Sequence, residues 1–144
     1  VAISQESLRY VRPTSLALWL PPELDSKRAK IQSIIERIEN DYQELEGSFS
    51  WKDVSFDLKK RVTSALRRIL PQGMSNAMIW TANHRTIRHV ITMRTAASAE
   101  VEIRHVFDKV AQVMKEKFPL IYHDFECVSL DDGTRSWRPK HMKV

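Results

Sequence analysis

Cysteine, glycine and long apolar runs are all scarce in this chain. Cys127 is the single cysteine, so no intrachain disulfide forms and no Cys-based zinc site is assembled from this chain alone. That usage fits a reducing, cytoplasmic setting. Only Gly47, Gly73 and Gly133 occur, which excludes both a glycine-rich dinucleotide fingerprint and a P-loop. Any phosphate site must therefore be built from side chains and helix ends. The longest apolar stretches, Leu16 to Leu20 and Ala77 to Trp80, fall far short of the ~20 residues that cross a bilayer. The reading is of a chain with no membrane span and no signal peptide.

What is present suits one folded domain over 1–130. Its 144 residues include 42% hydrophobic and 28% charged side chains, enough apolar material for a core and an ordinary charged surface. The net charge of +5 favours an anionic partner, be it nucleotide, nucleic acid or acidic protein.

Residues 4–13 are polar, interrupted by large side chains and closed by Pro13, and read as a loop. Thr14 to Leu20, bounded by Pro21-Pro22, reads as a short buried strand. From Asp25 or Ser26, the residues Ile31, Ile34, Ile35, Ile38, Tyr42 and Leu45 keep helical spacing as far as Gly47. Leu58, Val62, Ala65, Leu66 and Ile69 imply a second helix, with Lys59, Lys60, Arg61, Arg67 and Arg68 on its outer faces. Ala77 to Ala82 reads as a strand leading to Asn83, a good N-cap for a third helix striped by Ile87, Val90 and Ile91. A fourth helix starts near Ser98, buries Ile103, Val106, Phe107, Val110, Val113 or Met114 and Phe118, and ends at Pro119. Residues 131–144 read as a loose tail. The fold class is α+β, mostly helical with short strands.

The third helix carries the residues of most chemical interest. Arg94 continues its apolar stripe, so it either snorkels at the helix end or meets an anion or polar ligand in a pocket. Arg85 and His89 lie one turn apart, and Asn83 stands where free backbone amides favour phosphate. The alternative is a plain N-cap followed by a solvated basic face of Arg85, Arg88 and His89. The histidines lack ligand-like spacing, so no metal site is read. Cys127 reads as a small packed residue rather than a nucleophile, and Ser7 as a polar contact.

Ser4-Gln5-Glu6-Ser7-Leu8-Arg9-Tyr10 resembles the second half of the signature of flavin-dependent thymidylate synthases, with Ser7, Arg9 and Tyr10 matching. Arg67 before Leu70-Pro71, then Trp80-Thr81-Ala82-Asn83-His84-Arg85, His89 and Met93-Arg94, resemble that family's second motif in order and spacing. Ala99 to Arg104 and Phe118-Pro119 to Asp124-Phe125 continue the likeness. The resemblance implies an enzyme that methylates dUMP to dTMP, with FAD as cofactor and NADPH and methylenetetrahydrofolate as co-substrates. It implies a homotetramer with active sites at subunit interfaces. By the same resemblance Ser7, Arg9 and Arg67 hold dUMP, chiefly its phosphate, Arg94 polarises the uracil ring as the catalytic group, and Asn83, Arg85 and His89 contact FAD. The chain departs from the pattern in lacking the Arg-His-Arg half of the signature, and Ala2 stands where that motif usually has Ser. A non-catalytic or split subunit is therefore an alternative, as is a basic helical module binding nucleic acid through phosphates, although no reader motif is present.

Overall fold

The computed structural model describes residues 1–8 and 10–141. Its elements are β1 (Ala2–Gln5), α1 (Arg28–Gly47), α2 (Phe56–Leu66), β2 (Met78–Thr81), α3 (His84–Arg94), α4 (Val101–Lys117), the single turn α5 (Pro119–Tyr122), β3 (Phe125–Ser129) and β4 (Arg135–Pro139). Strands β1 and β2 form one two-stranded sheet and β3 and β4 another, an α+β arrangement. The chain divides into two compact units, Ser4–Ile79 and Val1–Ile3 with Trp80–Val144.

In the unit Ser4–Ile79, α1 follows the expected helix closely. A 3-10 turn over Pro22–Lys27 leads into it, with Pro22 at the first position, where a missing N–H costs nothing. Ile35 and Tyr42 are its buried residues. Ser55 caps α2 by accepting from the Leu58 N–H at 3.3 Å. Two expectations change here. The polar opening is not all loop, since Ala2–Gln5 is β1. The segment from Thr14 to Leu20 is not a strand, and pairs only through an isolated bridge between Leu18 and Met74. Its backbone groups are met by other partners: Leu16 N–H donates to Glu39 at 2.8 Å, Gln43 donates to the Thr14 carbonyl at 3.0 Å, and Ser75 N–H donates to the Ala17 carbonyl at 2.8 Å. Side chains of α1 replace a neighbouring strand, and Leu16 alone in that stretch is buried.

The unit containing Trp80–Val144 is built on a core of Ile91, Ala111, Tyr122, Phe125 and Trp137, with Ile87, Phe107, Val110 and Met114 packed against it. Helix α4 begins at Val101, three residues after the expected start near Ser98, because Glu100 supplies the cap by accepting from the Ile103 N–H. Of its expected buried stripe, Phe107, Val110 and Met114 do pack against the core, but the face that is most deeply buried is a different one. Arg104, Asp108 and Ala111 are inside, whereas Val106, Val113 and Phe118 are exposed.

Residues 131–139 are no loose tail. Strand β4 pairs antiparallel with β3, Phe125 opposite Pro139 through Ser129 opposite Arg135, and Trp137 enters the core. The connecting turn depends on Gly133, whose φ of 79° lies in the left-handed region that glycine adopts without a Cβ penalty. Asp132 accepts from both the N–H and the hydroxyl of Thr134, at 3.0 and 2.6 Å. The remaining expected tail residues, 142–144, lie outside the described residues. Among the described residues no helix is long and apolar enough to cross a membrane.

Candidate functional site

Asn83 sits in extended backbone and its side-chain oxygen accepts from the Thr86 N–H at 2.9 Å. That bond satisfies one of the donors a helix start leaves open and fixes where α3 begins. From there the inner side of the helix runs through His84, Arg88, Ile91 and Thr95, spaced at four, three and four residues. Of the stripe the periodicity suggested, Ile91 is fully buried and Ile87 packs against the core; the inner side also takes in polar residues, because they are met by matched partners. The His84 ring lies 3.2 Å from the Tyr122 hydroxyl through Nδ1 and packs edge-on against Phe118 with centroids 4.8 Å apart. Arg88 makes two parallel bonds of 2.8 Å to Asp124 and stands over the Phe125 ring at 4.7 Å. Thr95 accepts from the Trp137 N–H at 2.9 Å.

The electrostatics follow from that packing. The Arg88 hydrogen bonds hold the Asp124 carboxyl well below the usual carboxylate range, with a further bond from the His141 N–H, against an opposing push from burial. Burial pushes the Tyr122 phenol up, partly offset by the Arg88 charge. Arg88 therefore does not belong to a solvated basic face. It anchors the inner side of α3 to the α5–β3 corner, a role sequence reasoning missed. The signal was its place between His84 and Ile91, a helical turn from each.

The outer side of α3 carries the expected nucleotide-facing residues. Arg85 and His89 are exposed and one turn apart, and the helix contains no acidic residue. Arg94 is exposed at the last position of α3 rather than buried on the apolar stripe. It occupies the helix-end placement of the two that its spacing allowed.

Ser7 and Arg67 lie in the other unit. Ser7 is half-buried and its carbonyl accepts from the N–H groups of Tyr10 and Val11, both at 2.9 Å, which closes a tight turn. Arg67 is exposed in a 3-10 turn, Arg67–Ile69, that continues α2. Arg9 lies outside the described residues. Cys127 is exposed on β3 rather than packed. Among the described residues no group of three or more His, Cys, Asp or Glu is placed to hold a metal ion.

Residues 1–120 match the Thy1 family model, described as thymidylate synthase complementing protein. The chain belongs to this family. It is 30% identical over 140 residues to a flavin-dependent thymidylate synthase of Corynebacterium diphtheriae, covering 92% of this chain and 56% of that protein. It is 31% identical over 139 residues to the flavin-dependent thymidylate synthase of Mycobacterium avium, covering 91% of this chain and 55% of that protein. The Thy1 chain thus spans about half the length of the curated relatives it matches. The family match ends at residue 120, just before the β3–β4 hairpin that completes the core under α3.

Proposed function

We propose that this chain is the nucleotide-contacting part of a flavin-dependent thymidylate synthase, which methylates dUMP to dTMP with methylenetetrahydrofolate and NADPH. The observation that carries the reading is the Thy1 family match over residues 1–120. The residues fit an anionic flavin nucleotide: the outer side of α3 presents Arg85 and His89 beside a capped helix start, with no carboxylate in the helix to compete. FAD, when bound, supplies the two-electron carrier for the reduction.

In this reading Asn83, Arg85 and His89 hold the flavin nucleotide, Asn83 chiefly by fixing the helix start. Ser7, Arg9 and Arg67 hold the dUMP phosphate, for which guanidinium forks are suited. Arg94 donates hydrogen bonds to the uracil carbonyl oxygens and stabilises negative charge that develops on the ring, so its part is electrostatic. The protein positions and polarises; the difficult chemistry belongs to the flavin and folate. The functional assembly is a cytoplasmic homotetramer in which copies meet at the active sites.

The test is a titration with FAD, followed by flavin absorbance and fluorescence, with and without dUMP. Saturable FAD binding that dUMP perturbs, and that Arg94→Ala uncouples from dUMP, is the expected result. Absence of binding by both ligands removes the proposal for this chain.

A further inference from the structure

Helix α2 has one face on which positive charge gathers without being neutralised. Asp57, Lys60, Arg61, Ser64, Ala65 and Arg68 line an open depression of about 610 Å³, wholly within the unit Ser4–Ile79. The lining holds three cations and one carboxylate, and that carboxylate, Asp57, lies in the first turn of α2, where it also complements the helix dipole. Arg12, Arg28, Arg88, Arg104 and Arg135 each meet a carboxylate; among the described residues no ion pair involves Lys60, Arg61 or Arg68. Like charges gathered on one helix face repel one another, and an arriving anion relieves that repulsion.

Two details define the ligand. Arg61 and Arg68 are seven residues apart, roughly 10 Å along a helical axis, so the cationic lining extends along the depression and suits a ligand with several anionic groups. Lys60 is not a free tether either: its ammonium stands 5.6 Å from the centre of the Tyr10 ring, and that ring stacks on Phe56. Tyr10 closes the turn begun by Ser7, so the depression adjoins the loop assigned to the dUMP phosphate.

We infer that the α2 depression is a subsite for the multiply anionic end of a co-substrate, either the glutamyl carboxylates of the folate or the phosphates of NADPH. The choice of ligand rests on the proposed function: dUMP has one phosphate, taken by Ser7, Arg9 and Arg67, and FAD is taken by α3. The anionic ends left without a site are those of the two co-substrates. Guanidinium groups grip carboxylate and phosphate alike by paired hydrogen bonds.

Calorimetric titration of the full chain with γ-linked triglutamate and with inorganic tripolyphosphate tests the subsite without needing turnover. At least one probe binds saturably, and its affinity falls about tenfold or more in Arg61→Glu/Arg68→Glu while the helical circular dichroism is kept. Should that variant lose its helix signal, the single changes Arg61→Gln and Arg68→Gln are read instead, each with a several-fold loss. Comparing triglutamyl with monoglutamyl folate, and NADPH with NADH, then identifies the source. Failure of both probes, equal binding by parent and variants, or a single-stranded oligonucleotide that outcompetes both probes at equal charge overturns the inference. FAD and dUMP titrations on the same preparations report separately on the enzyme reading, because the proposed function assigns those ligands to residues other than Arg61 and Arg68.

Discussion

Arg88 and Asp124 are a charge pair in which each member is costly to bury alone. Both are below a tenth exposed and joined by two bonds of 2.8 Å. Removing one partner leaves an uncompensated buried charge, so Asp124→Leu or Arg88→Met is expected to destabilise the unit by about 3–5 kcal/mol in urea unfolding. The double change is expected to recover much of that loss, since an apolar pair of similar volume carries no desolvation penalty. A double loss equal to the sum of the singles would show that the pair is not coupled. The same residue sets an acid limit. The folded Asp124 carboxyl titrates below its unfolded value, so the unfolded chain takes up the proton first. Its contribution is complete above about pH 4, the unfolded aspartate range, and is lost as pH falls below that. Asp132, lowered chiefly by the Thr134 hydroxyl bond, adds to the same slope. Asp124→Asn is expected to flatten the pH dependence of the urea midpoint between pH 5 and the acid transition, at a lower overall stability.

At the scale of elements, the β3–β4 hairpin completes the core under α3 and α4. Trp137 packs with Ile91 and Ala111, and its indole N–H donates to Asp108 at 2.6 Å. Trp137→Ala is expected to cost about 3–5 kcal/mol and to lower the thermal midpoint of the unit. A midpoint unchanged within error would mean the hairpin is dispensable to that core. Gly133→Ala, which forces a Cβ into the left-handed region, costs about 1–2 kcal/mol through the turn alone. The hairpin was legible as Asp132-Gly133 between two short runs holding Val128 and Trp137. It read instead as tail, because Arg135, Arg138 and Lys140 mask the alternation. The buried sides of α3 and α4 were legible only in their apolar members, Ile87, Ile91, Phe107, Val110 and Met114, for a related reason. Periodicity counts apolar residues, and here Arg88, Arg104 and Asp108 are inward as well, because Asp124 before β3, Asp132 in the turn and Arg135 on β4 come to meet them.

At the scale of the molecule, apolar side chains remain open on the unit that carries α4. Val106 and Val113 are about half exposed, and Leu120 is 89% exposed. The homotetramer we propose is expected to cover such a surface, so Val113→Glu/Leu120→Glu should shift sedimentation toward smaller species while leaving circular dichroism unchanged. A parent chain that sediments as a monomer at micromolar concentration sinks the assembly reading. Arg67→Ala should weaken dUMP binding with FAD affinity kept, whereas Arg85→Glu should weaken FAD binding directly, each read by flavin fluorescence.

The sequence by itself determined the helices and the family. Apolar spacing along α1, the Asn83 cap and the ordered matches around Ser7, Tyr10, Arg67, Asn83, Arg85, His89 and Arg94 are local properties of the chain. Only the tertiary structure decided which charged residues lie inside, that Thr14 to Leu20 is bonded by α1 side chains and the Ser75 backbone and not by a neighbouring strand, and that residues 135–139 form a strand. The physical reason is common to all three: whether a polar group is buried depends on the partner brought to it from far along the chain, and that partner is set by folding, not by neighbouring sequence.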